Sequence, residues 1–405
     1  MSILEKFAEL ATDNAPGQES RQTSADASSF LKGPPLPGRP VDFSHGDVDA
    51  HAPTPGALGA FVNGFERGGA QAYTEYRGDA GIRDALAVRL AEFTGATVDA
   101  GDGLIVTPGT QGALFLAVAA TVGAGDKIAI VQPDYFANRK LAVFLGAEIH
   151  PVQLRYGEQA SGTAGIDLDE LQNVFRAGVK TFLFSNPNNP TGVVYSPEEI
   201  GQIAALATRY GATVIVDQLY SRLCYEGVRY THLRASDVDP EKVVTIMGPS
   251  KTESLSGFRL GVAFGSSAII SRMEQLQAIV SLRASGYSQA VLHTWFNEPD
   301  GWMTERTRQH QTIRDELLTR FRTIGGCAAR MPEAGSYLFP QLPPLTIDPT
   351  DFVRALRLQA GVIVTPGTEF SPHTGDSIRL NFSQDHDAAV AAVDRLTTLL
   401  DRYRA

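Results

Sequence analysis

The sequence predicts an α/β fold, with a large domain built on a mostly parallel sheet of about seven strands and a smaller α+β domain. Three observations predict it. From about Gly56 onward, short β-branched runs alternate with helix-period stretches, the pattern of strands joined by crossover helices. After about Ala290 strands become sparse and helical stretches dominate. A length of 405 residues exceeds one core of ordinary size, so two domains are expected.

The elements follow in order. From about Asn14 to Arg39 the chain is rich in Gly, Ser, Pro and Gln, and Pro34-Pro35-Leu36-Pro37 cannot be helical. Residues 1–40 are therefore read as an extended arm lying on something else. Strands are expected at Leu104 to Thr107, Lys127 to Val131, Ala147 to Val152, Thr181 to Phe184, Thr213 to Val216, Val243 to Met247 and Leu260 to Phe264. Ser196-Pro197-Glu198-Glu199 reads as a capping box with proline at the first helical position. A long helix is expected over Ala268 to Leu282, and two further strands over Gly335 to Phe339 and Ser377 to Phe382.

Composition narrows the function. Hydrophobic residues are 43% and charged residues 20%, so a sizeable core can be buried. The net charge of −10 argues against nucleic acid or an anionic membrane, which select for clustered Lys and Arg. Cys224 and Cys327 stand far apart, and the eight histidines are scattered, so neither a disulfide framework nor a metal site is indicated. The start lacks a basic region followed by an apolar core, and no apolar run is long enough to span a bilayer. A cytoplasmic protein is the expectation.

The chemistry lies just beyond strand ends, where ligands sit in open α/β sheets. Three patterns stand there: Ser185-Asn186-Pro187-Asn188-Asn189-Pro190-Thr191-Gly192, Asp217-Gln218-Leu219-Tyr220, and Ser250-Lys251 with Arg259 eight residues on. Pyridoxal 5′-phosphate needs an anion at its ring nitrogen, donors at its phenolic oxygen, an amine for its aldehyde and a cation at its phosphate. Asp217, Asn189 with Tyr220, Lys251 and Arg259 supply these in turn. Thr107-Pro108-Gly109-Thr110-Gln111-Gly112 leads from a strand into a helix, where the N–H groups of Thr110 and Gln111 could hold the phosphate with Ser250. Tyr135 could stack on the ring, although an aromatic at a strand end is often only packed. Arg379, inward-facing on an alternating strand, asks for an anion; the α-carboxylate of an amino acid or a structural carboxylate would each serve.

With these residues the chain resembles the class I/II aminotransferases of fold type I from about Val41 to its C-terminus. Tyr73-Thr74-Glu75-Tyr76-Arg77-Gly78, with Gly81 and Arg83, is similar to a family segment whose tyrosine reaches the cofactor phosphate of the neighbouring subunit. Ser44-His45-Gly46-Asp47 resembles the N-terminal loop whose glycine lies near the substrate carboxylate. The resemblance implies a homodimer with shared sites, a large domain over 56–290, and a small domain from 41–55 and 291–405. It also implies substrate contacts from Arg379, Gly46 and Asn189. His45 departs from the usual residue of that loop and is expected to face the substrate. Arg283 is placed, after a one-residue adjustment, like the arginine that binds a dicarboxylate side chain across the dimer. Gly248 stands where many members carry a phosphate-binding serine, which shifts that duty to Thr110, Gln111, Ser250 and Arg259.

The expected activity is transfer of an amino group from an L-amino acid to a 2-oxo acid, through a Lys251 Schiff base and pyridoxamine phosphate. A C–S lyase, a cyclising or replacing enzyme, or an amino-acid oxidase would use the same cofactor residues and stays open at this point. A PLP-binding sensor half of a transcription regulator would need a DNA-binding domain, for which the first 40 residues are too short and not basic enough. A nucleotide dehydrogenase would need GxGxxG after the first strand, which is missing.

Overall fold

The computed structural model describes residues 3–12, 15–17, 29–157 and 165–405. After β1 (Val41–Asp42) the main sheet is built from β2 (Leu104–Pro108), β3 (Lys127–Gln132), β4 (Glu148–Arg155), β5 (Gly165–Ile166), β6 (Thr181–Ser185), β7 (Thr213–Asp217), β8 (Val243–Met247) and β9 (Leu260–Gly265). Their order is β2-β9-β8-β7-β6-β3-β4-β5. Pairing is parallel from β8 through β4; β9 runs antiparallel to both its neighbours, and β5 antiparallel to β4. The order reverses between β3 and β6, and a ligand crevice is expected beyond the carboxyl ends of these two strands.

Apart from β4, the longer strands are buried at most positions because both faces are covered. Alternate residues Ile128, Ile130, Leu183, Ile215 and Ile246 pack with Leu114, Val118 and Met273 on one side. Val131, Phe182, Phe184, Val214 and Val216 pack with Phe175, Ile200 and Ile203 on the other. The Ser196 capping box forms as expected, with Glu199 returning a bond to the Ser196 backbone, and starts the helix Pro197–Tyr210.

Two small sheets follow. β10 (Tyr337–Leu338), β13 (Ile378–Asn381) and β12 (Thr365–Pro366) form an antiparallel sheet with β13 central, and β11 (Val362–Ile363) pairs parallel with β1. Around them Val41, Phe43, Leu317, Phe321, Leu338, Leu380 and Leu396 make a separate core.

The structure corrects several expectations. The arm is not extended throughout: Ile3–Leu10 is a helix, with Lys6 over the Phe144 ring at 4.1 Å. Its residues are ordinary helix formers, and the Gly- and Pro-rich composition begins only after it. Lys140 then ties the end of this helix to two other segments, bonding the Ala11 carbonyl at 2.7 Å and Glu369 at 2.6 Å. Residues 29–40 carry no regular structure and lie on the second core through Phe30, Leu31 and Leu36. Residues 13–14 and 18–28 of the arm lie outside the described residues. The main sheet has an eighth strand, β5, whose two residues offer no run to read. The long helix ends at Val280 instead of Leu282, where Leu282 takes φ of 62°. β10 and β13 are shorter than expected, and all four residues of β13 are buried, so the Arg379 strand has no solvent face. Among the described residues no helix is long and apolar enough to cross a membrane.

Candidate active site

At the switch point one pocket gathers Thr110, Gln111, Tyr135, Asn189, Asp217, Tyr220, Ser250, Lys251, Arg259, Arg379 and His45. These come from seven separate stretches of sequence, and the sheet brings them together by ending β2, β3, β6, β7 and β8 at one edge. Gly46 lines an adjoining cleft with His45 and Lys251, packed against Ser383.

The floor is held by a carboxylate tie. Asp134, just after β3, accepts from the Ser185 backbone N–H at 2.9 Å and from the Ser185 hydroxyl, locking β3 to β6. Burial pushes its carboxyl up to about 7. Asp217, at the end of β7, accepts from the Leu219 N–H at 2.9 Å and makes no ion pair among the described residues. Burial pushes it up to about 6. A carboxylate enclosed this deeply and open to the pocket asks for a cation. The protonated nitrogen of a pyridine ring is such a group.

Arg379 is 1% exposed and held in place on several sides. Its guanidinium lies 4.3 Å from the Tyr337 ring centroid and 4.8 Å from that of Phe370. Nη1 donates to Asn189 Oδ1 at 3.1 Å, and Nη2 donates to the Ser44 carbonyl at 2.9 Å. Nε is buried without a hydrogen-bond partner. A fixed, planar donor with bonding capacity left over suits a carboxylate. The same contact sets the Asn189 amide: its oxygen is taken by a donor-only group, so its NH2 is presented on the opposite side.

The phosphate end is shaped by close backbone approach. The helix Gly109–Ala119 begins directly after β2, and its first N–H groups carry the positive end of the helix dipole. A Cβ on Gly109 would lie 2.6 Å from Arg259 Nη2, so the guanidinium rests on the helix start. A Cβ on Gly261 would lie 2.4 Å from Gly109 C and Thr110 N, so β9 can reach the helix only as glycine. Gly248 has the same logic, since a Cβ there would stand 2.7 Å from Thr110 Cγ2. Thr110 thus fills the space that a serine at 248 would need. Helix start, Arg259 and Ser250 together suit a phosphate, and the pocket as a whole fits pyridoxal 5′-phosphate. Gly261→Ala should push the helix start away and weaken PLP binding by about tenfold or more, at the cost typical of overpacking. Titrating the apoprotein with PLP checks this. Gly201→Ala is the control, because nothing lies within 4 Å of its Cβ position; equal PLP affinity in both variants would refute the close-approach argument.

Besides Gly46, two expected residues are not in this pocket. Tyr73 is 82% exposed, and the Arg283 guanidinium lies over the Tyr73 and Tyr76 rings at 5.4 and 5.3 Å, on the outer face of the chain. His45 does reach the pocket, with Nδ1 3.0 Å from the Gly46 carbonyl and Nε2 3.4 Å from Asp42. Both ring nitrogens face acceptor oxygens, and the bond with Asp42 raises the imidazole to about 9. That contact favours the protonated imidazole.

Sequence reasoning gave no site role to Tyr337, Pro16 or Gly17, and none to Ser44 beyond its loop, although all four line the pocket. Tyr220 sits in a turn, not a helix, and its hydroxyl oxygen lies 2.6 Å from that of Tyr337. Only Gly335 hinted at this, as a turn glycine with φ of 78° just before the strand that carries Tyr337.

Comparisons with known proteins find relatives along most of the chain. The sequence model of a family described as aminotransferase class I and II matches residues 41–396. The chain is 28% identical over 338 residues to the aspartate/prephenate aminotransferase of Thermus thermophilus, covering 82% of this chain and 85% of that one. It is 26% identical over 340 residues to the aspartate aminotransferase of Sulfolobus acidocaldarius, covering 83% and 84%. A crystal structure of an aspartate aminotransferase from Rhodobacter sphaeroides superposes with a TM-score of 0.96 at 68% identity, covering 100% of both chains. An aromatic aminotransferase from Pyrococcus horikoshii shares the fold, with a TM-score of 0.79 at 21% identity over 94% of this chain and 99% of that one.

Proposed function

The chain belongs to the class I and II aminotransferases, and from that premise we propose that aspartate is its amino donor and that the residues gathered in the pocket carry the reaction. The protein is a pyridoxal 5′-phosphate-dependent aminotransferase that passes an amino group from an amino acid to a 2-oxo acid. The cofactor supplies an aldehyde to take up the amino group and a ring to accept electrons from the α-carbon.

In this proposal Lys251 holds the aldehyde in the resting enzyme and, once released, moves the proton taken from the substrate α-carbon. Asp217 keeps the ring nitrogen protonated. Asn189 and Tyr220 donate to the phenolic oxygen, and Tyr135 covers the ring. Thr110, Gln111, Ser250 and Arg259 hold the phosphate. Arg379 grips the α-carboxylate, with Asn189 and Gly46 beside it. The large domain at 56–290 would carry the cofactor, and the small domain, 41–55 with 291–405, would bring Arg379 to it.

The choice of aspartate rests on the full-length, 68% identical relative of that name. Two cations could meet a second carboxylate: His45 in the same chain, or Arg283 of a second copy. A homodimer is part of the proposal, since Leu58, Phe65, Tyr73, Ile279 and Val280 expose more than half their area on segments near Arg283, and such faces ask for cover. A cytoplasmic setting suits two cysteines that stay unpaired.

Adding amino acids singly to the PLP-loaded enzyme, without oxo acid, tests the donor. Aspartate should convert the cofactor band fully, with recovery on adding a 2-oxo acid. If alanine or an aromatic amino acid does so with kcat/KM about tenfold above that of aspartate, the donor is wrong although the reaction class stands.

A further inference from the structure

Among the described residues the cofactor pocket holds four basic side chains, Lys251, Arg259, Arg379 and His45. The first three have duties in the reading above: an aldehyde, a phosphate and an α-carboxylate. His45 is left over, and it stands where three cavities meet. The cofactor pocket and the adjoining cleft both include His45 and Lys251 in their linings. A substrate with its α-carbon at Lys251 and its α-carboxylate on Arg379 therefore has His45 within the same space. Asp42 lies on the other side of the ring, lining the third cavity and neither of the first two. The loop is tied down around His45: Arg379 Nη2 donates to the Ser44 carbonyl at 2.9 Å, and Gln384 Nε2 to the His45 carbonyl at 2.6 Å. Its backbone is thus fixed relative to the α-carboxylate site, while the side chain, 62% exposed and 3.4 Å from Asp42, keeps room to turn. Each ring nitrogen faces an acceptor oxygen, Gly46 O at 3.0 Å and Asp42 Oδ2 at 3.4 Å, an arrangement that only the doubly protonated ring satisfies. The other titratable groups of the adjoining cleft, besides Lys251, are committed. His310 has its ring nitrogens 2.9 Å from the Arg306 carbonyl and 2.9 Å from Ser383 Oγ, and Asp47 Oδ1 accepts from the Asp49 and Ala50 N–H groups at 2.8 and 3.3 Å.

We propose that His45 determines the preference for an acidic side chain: its ring N–H groups meet the distal carboxylate of a dicarboxylic amino acid while Arg379 holds the α-carboxylate. This rests on the reading of aspartate as donor, and it assigns the distal carboxylate to a residue of the same chain instead of Arg283 of a second copy. The incoming carboxylate replaces Asp42 as the anion beside the ring. Asp42 is not left bare by the exchange, because its Oδ1 keeps the bond from the Ser44 N–H at 2.8 Å.

The test measures two ratios. One is kcat/KM for aspartate over that for alanine, with the same oxo acid. The other is the calorimetric affinity of the PLP-loaded enzyme for succinate over that for propionate, which needs no turnover. His45→Gln keeps a hydrogen-bonding side chain but removes the charge, and it should lower both ratios by about tenfold or more, the size of one charge-assisted hydrogen bond. His45→Arg returns a cation on a different shape and should recover most of the loss. Ratios within about twofold of the parent in His45→Gln would overturn the proposal, and a loss in Arg283→Ala would then assign the carboxylate to the second copy. An equal loss in His45→Gln and His45→Arg would also overturn it, since the residue would then act by shape and not by charge. A parent that favours neither aspartate over alanine nor succinate over propionate would sink the donor reading, and this proposal with it. A parent that does favour them, with His45→Gln unchanged, sinks this proposal alone.

Discussion

Lys251→Ala should lower kcat for transamination by about 10⁴-fold or more, the loss expected when one group serves as both nucleophile and proton carrier. Among the described residues Lys251 is the only lysine lining the pocket, so none of them offers a second amine. Lys251→Arg separates charge from chemistry. A guanidinium keeps the positive charge but cannot be deprotonated, so it can neither hold an aldehyde nor accept a proton. Both variants should fall by similar factors while still binding PLP, because Arg259, Asp217 and the helix start at Gly109 are untouched. Single-turnover rates, with PLP content measured by absorbance, check this. Activity of Lys251→Arg within about tenfold of the parent would mean that the lysine acts only as a charge, and the reaction would need another base.

The main sheet was legible because most of its longer strands are apolar runs, several of them ended by residues with an obvious task. Asp217 after β7 and Asn189 after β6 are of this kind: the run and the polar group that follows it are contiguous in sequence. The Ser196 capping box was legible for the same reason, since its partners are three residues apart. What escaped was made by distant parts of the chain. The Tyr220–Tyr337 contact joins positions 117 residues apart, and Arg379 meets Asn189 across 190. No periodicity carries such pairs, and a tyrosine in a two-residue strand looks like any packed aromatic. The helix Ile3–Leu10 was hidden by the Gly- and Pro-rich stretch that follows it, whose composition was extended to the whole arm. Tyr73 and Arg283 were singled out through family likeness, and one chain alone leaves them on its outer face.

Asp217→Asn should reverse the order of thermal stability between the PLP-free and PLP-loaded protein. Without a cation beside it, the Asp217 carboxyl sits at about 6, raised by burial from an unfolded value of about 3.9. Between those two values the folded chain binds more protons than the unfolded one. Stability therefore falls as pH rises through that window, and the loss persists above about pH 6. Two units correspond to about 3 kcal/mol, an order-of-magnitude cost that an uncharged asparagine does not carry. PLP-free Asp217→Asn should consequently unfold at a higher temperature than the parent at pH 7.5, and the two should converge below about pH 4. Loaded with PLP, the parent pairs its carboxylate with the ring nitrogen and turns the cost into a charge-assisted bond, while the variant offers only an amide. The parent should then be the more stable protein, and the variant should lose about 10²–10³-fold in kcat, as when a preorganised charge is removed from a transition state. Thermal unfolding of both proteins, with and without PLP at several pH values, reads the crossover directly. The same order in both states would mean that Asp217 does not face a cation, and the placement of the ring in this pocket would have to change.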